Sequence, residues 1–150
     1  MGIVKVGQKA PEFTMLNQDE KEIKLSDFKG KQVVLAWHPM AFTGVCTDQM
    51  RDLENNFEKF KEKNAVALGA NIDHVPTKKA WGTAISIAQT DLVSDFKPFA
   101  KVTKDYGVYN EMLGTSGRAV VIIDEEGNVK WVKEYELSTR PDINEILDQL

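Results

Sequence analysis

Residues 31–50 read KQVVLAWHPMAFTGVCTDQM and change character midway. Lys31 to Trp37 is a short apolar run of the kind that forms a buried strand, and Pro39 ends it. From Val45 the period changes. Cys46, Met50, Leu53, Phe57 and Phe60 recur at spacings of four, three, four and three, which places them on one face of a helix. That helix is expected to run to Lys63, with Asn64 closing it. A second apolar run, Ala65 to Ile72, supplies the next strand, so this stretch opens a strand–helix–strand unit.

The pattern continues outward in both directions. Upstream, Pro11–Leu16 and Glu22–Leu25 flank the polar turn Asn17–Lys21 and predict a hairpin. Downstream, Val75–Trp81 reads as a helix with Pro76 at an early position that needs no N–H. Ala88–Val93 is a weaker strand, and Lys97–Tyr106 a helix stopped by Gly107. Arg118–Asp124 is a strand whose turn at Glu125–Asn128 leads into Val129–Tyr135, and Pro141–Leu150 makes a short amphipathic helix. Strands that alternate with helices and then end in a hairpin give an α/β protein with a mixed central sheet flanked by helices.

At 150 residues one domain, residues 1–150, is expected, with no repeat or linker to divide it. Such a domain buries roughly 68–70% of its extended-chain surface and needs no disulfide staple. The 42% hydrophobic and 28% charged content is ordinary for a globular chain, and the net charge is −4. No basic stripe exists to neutralise phosphates, which excludes a nucleic-acid partner. No apolar run approaches the ~20 residues of a membrane span, and the N-terminus lacks the layout of a signal peptide. One cysteine forms no internal disulfide, and a cytoplasmic location is expected.

Cys46 has two readings. Free cysteine is among the most buried residue types, so a thiol on an apolar helical stripe commonly just packs. Here, however, it falls in the first turn of its helix, where unpaired N–H groups and the dipole favour an anion. Ionisation alone would achieve little. Moving any thiol from a pKa of about 8.5 to about 6 raises its thiolate fraction at neutral pH roughly thirtyfold, and lower nucleophilicity removes about tenfold of that. Fast chemistry at such a thiol needs donors that stabilise charge on the leaving atom. Thr43, three residues upstream, offers a hydroxyl at the same helix terminus. Arg118 opens its strand after Gly114–Gly117 and presents a permanently charged fork of donors. His38 and His74 read as a strand-end packing residue and a cap before Pro76; neither has a catalytic surround, so acyl transfer is weak. No ligands cluster for a metal.

Pro39-Met40-Ala41-Phe42-Thr43-Gly44-Val45-Cys46 resembles the P-x-x-x-T-x-x-C signature of peroxiredoxins, the thiol peroxidases of the alkyl hydroperoxide reductase/thiol-specific antioxidant group. Lys9–Phe13, Trp81, Val93–Asp95, Tyr106-Gly107, Gly117–Ala119 and Ile123-Asp124 follow in the order that family has. The resemblance spans essentially the whole chain. It implies a thioredoxin-like fold with an N-terminal β-hairpin extension and a thiol-dependent peroxidase acting on hydrogen peroxide and organic hydroperoxides. It also implies roles: Cys46 attacks the peroxide, Thr43 donates to sulfur and peroxide, Arg118 stabilises thiolate and transition state, and Pro39 shields the sulfur.

Two positions depart from the family pattern. Gln49 stands where many members carry glutamate, and can hydrogen-bond without charge. His38 stands where an aromatic residue is common, and is a candidate for tuning the pH dependence. The chain ends at Leu150 without a second cysteine, so a one-cysteine cycle is expected. No cofactor is expected; the electron donor is thioredoxin, a glutaredoxin or a small thiol. By analogy the protein is a homodimer, with the face around Phe42 and Phe99 available for the contact.

Overall fold

The computed structural model describes residues 2–150. Its strands are β1 (Thr14–Leu16), β2 (Glu22–Lys24), β3 (Gln32–Trp37), β4 (Ala65–Asn71), β5 (Asp91–Ser94), β6 (Tyr109–Asn110), β7 (Thr115–Ser116), β8 (Arg118–Ile123) and β9 (Val129–Tyr135). Its helices are α1 (Gly44–Asn55), α2 (Phe57–Glu62), α3 (Val75–Ala84), α4 (Lys101–Asp105) and α5 (Ile143–Asp148). Seven strands form one sheet in the order β2-β1-β5-β4-β3-β8-β9, and β6 and β7 form a separate ribbon that the sequence pattern did not announce.

β3 is central, parallel to β4 and antiparallel to β8. Every residue of it is buried, because both faces of the sheet are covered. Val33, Leu35 and Trp37 face a core that includes Phe13, Met15, Val102 and Tyr106. Val34 and Ala36 face the other core, built on Cys46, Met50, Leu53, Phe60, Trp81 and Ile146 from the flanking helices. The N-terminal hairpin pairs Thr14 with Lys24 and adds to the sheet through Leu16 opposite Ser94. This is the thioredoxin-like α/β fold with its β-hairpin extension, as expected.

Three local expectations need correction. The predicted helix 45–63 is two helices that meet at Asn56, whose amide Nδ2 donates to the Asp52 carbonyl at 2.8 Å. That side chain takes up a carbonyl at the end of α1 and turns the chain into α2. Asn64 does close α2, at a φ of 57°. The strand expected at 88–93 lies at 91–94, since the carboxylate of Glu54 accepts from the amides of Ala88, Gln89 and Thr90 and holds them as a turn. The helix expected at 97–106 begins only at Lys101, because Ala100 adopts a φ of 53° and Pro98 precedes it.

Candidate active site

The sheet order decides which residues meet. β3 and β8 are antiparallel neighbours, so Trp37 at the end of β3 lies opposite Ala119 near the start of β8. The loop that leaves β3 and the residue that opens β8 therefore share one end of the sheet. Cys46 is the third residue of α1 and is only 1% exposed. Arg118 reaches it across 72 positions of sequence: Nη2 donates to Sγ at 3.4 Å.

Arg118 is itself held by two further partners. Nε and Nη2 donate to the Leu137 carbonyl at 3.1 and 2.8 Å, and Nη1 donates to Gln49 Oε1 at 2.6 Å. Gln49 is buried one turn along α1, and its Nε2 donates to the Trp37 carbonyl at 3.3 Å. A glutamine can do both because it carries an acceptor and a donor. The departure at Gln49 is thus an amide bridge from the guanidinium to the end of β3. Leu137, which follows β9, supplies a carbonyl that no sequence signal marked.

The remaining expected residues are placed less uniformly. Pro39 is partly buried, in the loop between β3 and α1. Thr43 precedes α1 in an extended conformation and is exposed; its Oγ1 donates to the Met40 carbonyl at 2.7 Å, not to the sulfur. That bond closes the loop on itself and leaves the hydroxyl oxygen free to accept. Phe42 adopts a φ of 65° with its side chain exposed, a strained backbone for a bulky residue.

His38 is fully buried, beside the Trp81 ring at 5.2 Å between centroids. Its amide donates to the Ala70 carbonyl at 3.0 Å and its carbonyl accepts from Ser116 Oγ at 2.7 Å. Burial first, and the positive charge of Lys78 second, hold its pKa well below the ordinary value. The ring is therefore neutral at neutral pH. His38 packs at the end of β3 as expected. His74 is exposed at the start of α3 and lies against Phe96 at 4.3 Å.

Sequence reasoning missed a buried polar cluster behind the site. Lys78 on α3 is fully buried, with Nζ 2.7 Å from Asn71 Oδ1 and 3.3 Å from His38 Nε2. Asn71 Nδ2 donates to Asp73 Oδ2 at 2.6 Å, and the same oxygen accepts from the Ala41 amide at 2.8 Å. A signal did exist. Val75, Lys78 and Trp81 are spaced by three, so Lys78 sits on the apolar stripe of its helix. Among the described residues no group of three or more His, Cys, Asp or Glu is arranged to hold a metal ion. No helix among them is long and apolar enough to cross a membrane.

The fold and the cysteine–arginine pair define a thioredoxin-like protein whose single thiol has a fixed cationic partner. Residues 6–132 match the family model described as AhpC/TSA family. The chain is 32% identical over 132 residues to alkyl hydroperoxide reductase E of Mycobacterium tuberculosis, which covers 87% of this chain and 86% of that protein. It is 37% identical over 148 residues to the thiol peroxidase of Oceanobacillus iheyensis, covering 97% and 88%. The reduced 2-Cys peroxiredoxin of Plasmodium vivax superposes with a TM-score of 0.87 at 32% identity, over 96% of this chain and 79% of that one. Mycobacterium tuberculosis AhpC has the same fold, with a TM-score of 0.85 at 20% identity over 97% and 95% of the two chains. The chain belongs to the AhpC/TSA family, the peroxiredoxins.

Proposed function

We propose that this protein is a thiol peroxidase in which Cys46 reduces hydrogen peroxide and organic hydroperoxides by a one-cysteine cycle. The observation that carries the reading is the guanidinium of Arg118 at 3.4 Å from a sulfur in the first turn of α1. The thiolate attacks the terminal peroxide oxygen. The S–O bond forms, the O–O bond breaks, and the leaving hydroxide or alkoxide takes a proton to become water or alcohol. Arg118 donates to the charge that moves from sulfur to oxygen, where a fixed donor is worth most. Thr43 accepts from the peroxide or donates to it once its bond to Met40 is exchanged, and Pro39 covers the sulfur. Gln49 and His38 support these groups from behind.

The chain has one cysteine, which supports recycling by an outside thiol: thioredoxin, a glutaredoxin or a small thiol. That thiol attacks the sulfenate sulfur and expels water, leaving a mixed disulfide that a second thiol resolves. With Cys46 1% exposed, a protein reductant reaches the sulfur only after the first turn of α1 opens. No metal or organic cofactor takes part in this cycle. A homodimer through the exposed apolar side chains Met40, Phe42, Phe96 and Phe99 is part of the same proposal. A cytoplasmic setting suits an unpaired thiol that cycles through sulfenate.

The test is peroxide consumption by the purified chain with each class of reductant. Cys46→Ser is expected to abolish turnover while the folded state is kept. Turnover retained in that variant would end the proposal.

A further inference from the structure

The peptide unit between Met40 and Ala41 is held at both ends. Thr43 Oγ1 donates to its carbonyl at 2.7 Å, and its N–H donates to Asp73 Oδ2 at 2.8 Å. The second bond ties the loop that leaves β3 to the loop that leaves β4. Ala41 is buried, whereas Phe42 and Thr43 beyond it are exposed. Phe42 also carries a φ of 65°, and such a backbone persists only where the residues around it are fixed.

Asp73 is held in turn. Its amide donates to Asn71 Oδ1 at 3.1 Å, its carbonyl accepts from Ser94 Oγ, and Asn71 Nδ2 donates to its Oδ2 at 2.6 Å. Asn71 ends β4, is fully buried, and also accepts at Oδ1 from Lys78 Nζ at 2.7 Å. With Oδ1 facing two donors, the amide of Asn71 has one orientation, and it presents Nδ2 to Asp73. A carboxylate that accepts from a peptide N–H polarises that peptide, which makes its carbonyl the stronger acceptor for Thr43.

We propose that Asp73 is a positioning residue for the peroxidase reaction: by holding the 40–41 peptide it fixes the carbonyl on which Thr43 Oγ1 rests, and so the place where that hydroxyl meets the peroxide. This rests on the thiol-peroxidase reading of Cys46 and Thr43. Asp73 acts through the peptide and not on the reacting atoms. With its proton committed to the Met40 carbonyl, the Thr43 oxygen offers its lone pairs to the hydroperoxide O–H.

The experiment is a double-mutant cycle on single-turnover oxidation of Cys46 by hydrogen peroxide, with iodoacetamide alkylation of the same thiol beside it. Asp73→Ala is expected to slow oxidation about 10- to 100-fold, the range for a displaced reacting group. Alkylation, which has no peroxide to orient, is not slowed. Asp73→Asn, whose amide oxygen still accepts from Ala41, should restore most of the oxidation rate. In a Thr43→Val background, Asp73→Ala is expected to slow oxidation no further, because the hydroxyl it places is gone. A merely structural aspartate gives the same loss in both backgrounds, or slows oxidation and alkylation alike, and either result overturns the proposal. So does an oxidation rate unchanged in Asp73→Ala, or an Asp73→Asn as slow as Asp73→Ala. Should Asp73→Ala not fold, Asp73→Ser takes its place in the same cycle: its hydroxyl falls one bond short of the Ala41 amide. A wild type inert to peroxide strikes the peroxidase reading and this role with it, whereas additive losses in a reactive wild type strike this role alone.

Discussion

Arg118 spends its donors on Leu137, Gln49 and Cys46, so the guanidinium plane is fixed before any substrate arrives. A donor with no reorganisation to undergo is the kind whose removal costs about 10²–10³ in rate. Arg118→Ala should therefore slow single-turnover oxidation of Cys46 by about that factor, as followed by stopped-flow with excess peroxide. The charge on Lys78 makes a different prediction, about stability. Its folded pKa, about 7, lies below the ordinary 10.5, so between those values the unfolded chain binds a proton that the folded chain does not. Stability from this group therefore rises with pH across that window and is flat below it. Lys78→Met should be more stable than wild type at pH 7, with an advantage that shrinks toward pH 10, as urea midpoints would report. Cys46 and Arg118 were legible because their neighbours carry a signature in sequence. Lys78 carried a weaker signal, its spacing of three from Val75 and Trp81, which the solvated look of the neighbouring Lys78-Lys79 pair masks until α3 is laid on the sheet.

At the scale of elements, α1 is set against the sheet by a missing side chain. Gly69 lies in the middle of β4, and a Cβ there would run into Met50 Sδ and touch Leu92. Met50 is one turn beyond Cys46 on the buried face of α1, so this contact sets how closely the helix carrying the thiol approaches the sheet. Gly69→Ala should displace Met50, cost about 1–3 kcal/mol by overpacking, and change the oxidation rate of Cys46 as well. Denaturant unfolding and stopped-flow check the two halves of that prediction. The major strands were readable from apolar runs, because β3, β4 and β8 are covered on both faces. What was not readable depended on single polar side chains acting at a distance. Asn56 broke the long helix, and Glu54 held residues 88–90 out of β5; neither effect has a period to detect.

Over the whole molecule, the side chains left uncovered are as informative as the core. Phe96, Phe99 and Tyr109 form a chain of edge-to-face rings, 6.5 and 6.3 Å apart, with His74 at one end and Lys104 over two of the rings. A run of aromatic rings with Phe96 and Phe99 left exposed suits a second protein surface. Phe99→Glu should convert a dimer to monomer in sedimentation velocity without lowering the unfolding transition, and an unchanged sedimentation coefficient would remove this face from the proposal. The sheet order has a consequence for synthesis. The thiol precedes its guanidinium partner by 72 residues, roughly 4–14 s of translation at about 5–20 residues per second. Until β8 slots in beside β3, the cysteine of the nascent chain has no guanidinium beside it. Closure of the sheet, rather than translation of the signature, is the event that brings the guanidinium to the sulfur.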